Sequence, residues 1–236
     1  MFQRRVERAL SVIADAAEHG KVGVSYSGGK DSTVLLDLVR CVVPDAPAVF
    51  FDSGCELCQT YDIVRYYNVN IVKPKMSLLE MCRQGGYWGY ENPTDPDAEF
   101  DFGEMLVDEP ARRFAHEQGL QVQAIGLRAQ ESRSRFMNAK QRGELYFAKY
   151  AGLWHLCPLQ NWTTDDVWAY IASRELVYNG AYDIMTQIGV PRSDQRISML
   201  LGSSAAATGR YAILKQIDIA LWNRLAAEFP KVRIYT

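Results

Sequence analysis

The chain has 236 residues, 48% of them hydrophobic and 23% charged, with a formal net charge of −2. That length suits one large domain, or one domain with an appendage. The composition is that of a globular protein, and no apolar run approaches the ~20 residues that span a bilayer, so a disordered chain and a membrane partner are both excluded. A charge so near zero gives no global attraction for nucleic acid. Residues 1–9 carry charges of both signs and no apolar signal core, which makes the cytoplasm the expected location. The cysteines are Cys41, Cys55, Cys58, Cys82 and Cys157, an odd number that argues against a disulfide framework.

Residues 2–18 place Val6, Leu10, Ile13 and Ala17 on one face of a helix. A first strand at 21–26 runs into the turn Ser27-Gly28-Gly29-Lys30-Asp31-Ser32, and an apolar helical pattern follows from Thr33. Strand, glycine turn and helix in that order make a phosphate cradle. Glycines let backbone N–H groups approach an anion, and the helix N-terminus adds partial positive charge. Ala48-Val49-Phe50-Phe51 reads as a second, buried strand, broken by Asp52-Ser53-Gly54. A helix at 57–67 and a strand at 69–72 follow. Residues 85–102 are rich in glycine, proline and aromatics and read as a long loop, either a lid, a partner surface or an ordered surface loop.

A helix is expected at 104–118 and a fourth strand at 121–125, ending at Gly126-Leu127-Arg128. A short arginine-rich helix at 130–138 and a hairpin of 145–150 with 154–157 come next. Thr163 caps a helix at 164–174 with Asp165 and Asp166 in its first turn. The alternation of strands and helices implies an α/β fold, a doubly wound and mostly parallel sheet of Rossmann-like type. Residues 1–185 form the nucleotide-binding domain, and 186–236 a helical or loop extension packed on it. Ligands on such sheets sit beyond the carboxyl ends of the strands, where both 27–32 and 52–54 fall.

The glycine turn is neither a Walker A loop, because Asp31 follows Lys30, nor a dinucleotide fingerprint, because G-x-G-x-x-G is absent. Ser27-Gly28-Gly29-Lys30-Asp31-Ser32 resembles the PP-loop of the N-type ATP pyrophosphatases. Three further blocks follow in order: Phe51-Asp52-Ser53-Gly54-Cys55-Glu56-Leu57-Cys58-Gln59-Thr60, then Gly126-Leu127-Arg128-Ala129-Gln130-Glu131-Ser132-Arg133-Ser134-Arg135, then a block from Cys157 to Ile171. Together they resemble the phosphoadenosine-phosphosulfate reductase family, within the adenine-nucleotide α-hydrolase-like group, over about residues 20–185. In the second block Asp52, Gly54 and Thr60 match the family pattern, while Ser53, Cys58 and Gln59 depart from it. The third block fits at Gly126, Arg128, Glu131, Ser132 and Arg135.

The resemblance implies an adenine nucleotide held by Ser25, Tyr26, Ser27, Gly28, Gly29, Lys30, Asp31, Ser32, Asp52, Ser53, Gly126, Arg128 and Arg135. Lys30, Asp31 and Arg128 are the expected catalytic residues, with Asp31 as a ligand to Mg²⁺. Asp52 would accept from ribose hydroxyls or a base amine. Arg128 suits a phosphate or sulfate, whereas Arg133 or Arg135 could instead pair with Glu131. Trp162, Trp168 and Tyr170 read as packing residues. No cysteine follows Cys157, so the E-C-G-L-H type of tail that carries the reductase thiol has no counterpart.

The first-ranked expectation is therefore an ATP pyrophosphatase of the DNA phosphorothioation type (DndC- or SspD-like). It cleaves ATP between the α and β phosphates and activates a DNA acceptor for sulfur transfer. A persulfide on Cys55 or Cys58, or an iron–sulfur cluster using them, would carry sulfur. A cysteine desulfurase, other modification-complex subunits and a second copy of the chain are the expected partners. The alternatives are a sulfate-assimilation enzyme, reductase-like or resembling the small subunit of ATP sulfurylase, and a non-catalytic nucleotide-binding regulator.

Overall fold

A computed structural model describes residues 2–85, 95, 99–198 and 209–235. Most of the loop expected at 85–102 lies outside the described residues. The chain forms two compact units. The first comprises Met1–Phe50, Val64–Val72 and Ala111–Tyr178, and the second Phe51–Ile63, Lys73–Pro110 and Asn179–Thr236. The sequence drew one linear division at 185/186, whereas these units interleave along the chain.

The sheet contains β1 (Val22–Ser25), β2 (Ala48–Phe51), β3 (Asn70–Val72), β4 (Val122–Ala124), β5 (Leu145–Ala148) and β6 (Leu153–Leu156). Its order is β3-β2-β1-β4-β6-β5. β1 runs parallel to β2 and to β4, β4 runs parallel to β6, and β5 pairs antiparallel with β6. The fold is thus the expected mostly parallel α/β arrangement. Chain order reverses at β1: β2 and β3 extend the sheet one way, and β4 returns to β1's other edge. The crevice between the carboxyl ends of β1 and β4 is therefore the topological switch point, where open parallel sheets bind ligands.

Local sequence explains these elements. β1 is short, apolar and buried. A Cβ at Gly23 would come within 2.4 Å of Leu120 Cδ1, so this strand position needs glycine for the close approach. Helix α1 (Phe2–Ala17) buries Ala9, Val12, Ile13 and Ala16. Of the expected stripe only Ile13 is central, because the small alanines make the closest packing. Helix α2 (Lys30–Val42) holds Lys30, Asp31 and Ser32 in its first turn, as expected for Asp31. Helix α3 (Cys58–Tyr66), α4 (Leu78–Gly85) and α5 (Glu109–Gln118) follow, with a π-helical turn at Glu104–Asp108 before α5.

The arginine-rich helix expected at 130–138 is a 3₁₀ turn, Ala129–Glu131, followed by α6 (Arg133–Arg142). Ser132 separates the two, because its hydroxyl accepts from the Arg135 amide and caps α6. Helix α7 (Thr164–Ser173) opens on a capping box of Thr163 and Asp166. It packs on α2, and the Tyr170 hydroxyl donates to Asp37 at 2.7 Å.

The second unit is helical in its later part: α8 (Ala181–Gln187), α9 (Arg210–Ile217), α10 (Ile219–Glu228) and a 3₁₀ turn at Pro230–Tyr235. Leu78, Met81, Leu106, Met185, Leu214 and Leu225 are buried in it. Asp218 links two of its helices. One carboxylate oxygen accepts from the Leu221 amide at 2.9 Å and caps α10, while the other accepts from the Cys58 amide at 3.0 Å at the start of α3. Among the described residues, no helix is long and apolar enough to cross a membrane.

Candidate nucleotide site

The turn between β1 and α2 is organised by its own hydroxyls. The Ser27 amide and hydroxyl both donate to Ser32 Oγ, at 3.2 and 3.1 Å, and the Ser32 hydroxyl in turn is within 2.9 Å of the Gly29 carbonyl. Gly28 has φ 75°, a left-handed conformation that glycine adopts without strain. Gly29 is the N-cap of α2 and brings no side-chain acceptor to it. A 13-residue helix thus presents its N-terminal dipole end to the loop without a side-chain cap.

Charge is concentrated in the same place. Lys30 is 3% exposed, and its ammonium donates to Asp31 Oδ2 at 3.0 Å. Arg128 is 2% exposed, and its Nε donates to Asp31 Oδ1 at 2.5 Å. One carboxylate therefore joins the two cations expected from β1's loop and from β4's loop. The two loops meet closely here: a Cβ on Gly126 would lie 3.4 Å, an ordinary contact distance, from the Asp31 carbonyl carbon and the Ser32 nitrogen. Arg128 Nη1 reaches Gln130 Oε1 at 3.1 Å, Thr164 Oγ1 at 3.4 Å and the Trp162 carbonyl at 3.5 Å. Gln130 and Thr164 were missed in the sequence, where the stretch around Trp162 signalled only a helix start and packing. Trp162 is indeed buried, edge-on to Tyr170 and Phe2.

Two other expected residues face inward. Ser25 Oγ accepts from Gln123 at 2.7 Å, and the buried Tyr26 hydroxyl meets Thr33 Oγ1 at 3.1 Å. Both brace the loop from below. Arg135 takes the alternative left open in the sequence: it forms an ion pair with Glu131 four residues earlier. Asp31 is a poor fit for a magnesium ligand, because each of its oxygens already accepts from a cation.

Asp52, Ser53, Cys55 and Cys58 belong to the second unit. Asp52 Oδ1 accepts from the Gly54 amide at 2.9 Å and from the Tyr61 hydroxyl at 2.7 Å. Ser53 donates to Glu56 Oε1 at 2.6 Å. Arg224 donates to the Gly54 carbonyl at 2.6 Å. Tyr61, Glu56 and Arg224 carried no signal in the sequence, the last lying 170 residues from its partner. Burial pushes the Cys55 thiol up to about 12, against the nearby Arg224, and desolvation with Asp218 raises that of the exposed Cys58. Both are held as thiols. Among the described residues no group of three or more His, Cys, Asp or Glu is placed to hold a metal ion.

Burial pushes the Glu56 carboxyl up from 4.5 to about 7; Ser53 opposes this and the Asp52 charge adds to it. The folded chain therefore holds a proton that the unfolded chain releases near 4.5. The stability this provides is full below that pH and is lost as pH rises through about 7. The urea midpoint is expected to fall between pH 5 and pH 8. Glu56→Gln, which cannot ionise, should flatten that slope; an unchanged slope would refute the assignment.

The comparisons with known proteins fall on this framework. The model of the phosphoadenosine phosphosulfate reductase domain family matches residues 21–189. The chain belongs to that family. It is 30% identical over 175 residues to adenosine 5'-phosphosulfate reductase 2 of Bacillus subtilis (strain 168), covering 69% of this chain and 67% of the relative. It is 31% identical over 190 residues to the adenosine 5'-phosphosulfate reductase of Geobacillus kaustophilus (strain HTA426), covering 74% of each. In fold it is similar to the phosphoadenylyl-sulfate reductase from Candida auris, with TM-score 0.56 and 22% identity, over 77% of this chain and 89% of that one.

These relatives correct the first-ranked expectation. They are named for reduction of adenosine 5'-phosphosulfate, not for ATP cleavage in DNA phosphorothioation, and the sulfate-assimilation alternative fits them better. The physical reason is that a glycine turn before a helix N-terminus suits any phosphate, so its pattern does not distinguish one adenylyl nucleotide from another.

Proposed function

We propose that the chain is a sulfate-assimilation enzyme acting on an adenylyl sulfate. The observation that carries this reading is the Lys30–Asp31–Arg128 array beside the uncapped N-terminus of α2. The loop amides and Lys30 hold the nucleotide's α-phosphate, and Arg128 offers a planar donor set to phosphate or sulfate oxygens. Asp31 fixes both cations, so little reorganisation accompanies charge development on the leaving phosphate.

The reaction is a sulfo transfer. A thiolate attacks the sulfate sulfur, the sulfur–oxygen bond to the phosphate breaks, and its electron pair stays on the departing adenosine monophosphate. A second thiolate then attacks the sulfur bonded to the sulfo group, releasing sulfite and leaving a disulfide. A dithiol reductant supplies both thiols. Cys55, Cys82 and Cys157 are buried, and burial raises the pKa of each of the five cysteines of this chain.

The test incubates the protein with adenosine 5'-phosphosulfate and a dithiol, and measures adenosine monophosphate and sulfite together. Equal amounts of both are expected, with at least a 100-fold loss in Lys30→Ala, on the order expected for removing a preorganised charge at the site. Release of neither product, from this substrate or its 3'-phosphorylated form, would sink the proposal.

A further inference from the structure

A cavity of 340 Å³ opens within the first unit, and no residue of the loop at 27–32 lines it. Helix α1 contributes Arg4, Arg5 and Arg8 to its lining. The turn that leaves the carboxyl end of β6 contributes Pro158, Asn161 and Trp162, and Glu144 completes it.

The position of these arginines is unfavourable for the helix alone. Arg4 and Arg5 occupy the first turn of α1, which holds no acidic residue. The helix dipole places partial positive charge at that end, so cations there are repelled. A local rule broken without a local gain marks a functional position. Two of the arginines are also held in place by carboxylates from other elements. Arg5 Nη1 pairs with Asp166 of α7, and Arg8 Nε donates to Glu144 Oε2 at 2.8 Å. Asp166 is fixed in turn by the Thr163 amide, which donates to it at 2.7 Å. A guanidinium carries five N–H donors, and each carboxylate engages a single nitrogen of its arginine. Arg4 makes no ion pair or hydrogen bond among the described residues. Three guanidiniums against Glu144 and Asp166 leave the lining net positive, with donors to spare.

We infer that this cavity binds a phosphate monoester with an apolar body. The donors select the head group. A phosphate monoester has three terminal oxygens and up to two charges to meet three guanidiniums, whereas a carboxylate has two oxygens and one charge. The volume selects the rest, since it falls at the lower end of the range for small-molecule sites and exceeds what a bare phosphate fills. Pro158 and Trp162 supply apolar surface for the body, and the Asn161 amide can bond a polar substituent on it. The inference is independent of which adenylyl nucleotide occupies the loop at 27–32.

The experiment is calorimetric titration of the whole chain with phenyl phosphate and with benzoate, at low ionic strength. The loop at 27–32 also attracts phosphate, so Lys30→Ala serves as a background in which its charge is removed. Phenyl phosphate should bind Lys30→Ala and the unaltered chain alike. Arg4→Glu should weaken that binding about tenfold or more, the loss of one charged hydrogen bond. A glutamate in the first turn favours the helix dipole, so the weakening cannot come from a lost α1. Benzoate should bind about tenfold more weakly than phenyl phosphate. No binding of phenyl phosphate, affinity unaltered in Arg4→Glu, or benzoate binding as tightly would each overturn the inference. Affinity for adenosine 5'-phosphosulfate should be the same with and without Arg4→Glu. Failure of that nucleotide to bind at all would count against the proposed function and leave the cavity's result intact.

Discussion

Replacing Arg128 with alanine is expected to lower the unfolding free energy by about 3 kcal/mol. Arg128 is 2% exposed and its guanidinium is tied at four points, to Asp31, Gln130, Thr164 and the Trp162 carbonyl. Breaking a buried ion pair costs about 3–5 kcal/mol, because the remaining charge keeps its desolvation cost. Asp31 retains Lys30, which places the loss at the low end of that range. Arg128→Lys restores the charge but not the planar fork, and should recover less than half of the loss. Urea denaturation of the three proteins measures this directly. A loss in Arg128→Ala below about 1 kcal/mol would mean the pair is worth no more than a surface ion pair.

Asp218→Ala should cost about 2 kcal/mol by the same measurement. A single carboxylate closes the N-termini of two helices, α10 through Leu221 and α3 through Cys58. Asp218 is 8% exposed, so the two amides lose their acceptor where water reaches them poorly. One cap is worth about 1 kcal/mol, and two are lost together. Asp218→Asn keeps one acceptor oxygen and should restore about half. If Asp218→Ala and Asp218→Asn were equally stable, the shared cap would carry no energy.

The local half of this architecture was legible in the sequence. The run Val22-Gly23-Val24-Ser25 and the glycines at 28 and 29 specify strand and turn within a few residues, so β1 and α2 fell where expected. Thr163 with Asp166 announced the start of α7 in the same way. What stayed hidden is what no local pattern encodes. The bond from Arg128 to Asp31 spans 97 residues, and those from Cys58 to Asp218 and from Arg224 to Gly54 span 160 and 170. The second unit is assembled by such links, so its short helices read only as helices and loops. The substrate was misordered for a related reason. A glycine turn before a helix is a local pattern, and it is the same pattern for any adenylyl nucleotide.

The pairing of β1 with β4 has a consequence for the order in which the protein comes into being. Val22 lies beside Val122, and Asp31 meets Arg128. On a ribosome adding about 5–20 residues per second, the loop emerges roughly 5–20 s before its arginine exists. Through that interval the nascent chain can form α1 and α2 and pair β1 with β2, yet β1's other edge has no neighbour. The loop at 27–32 is among the first parts to be made, yet it waits for 97 further residues before the arginine that meets Asp31 exists.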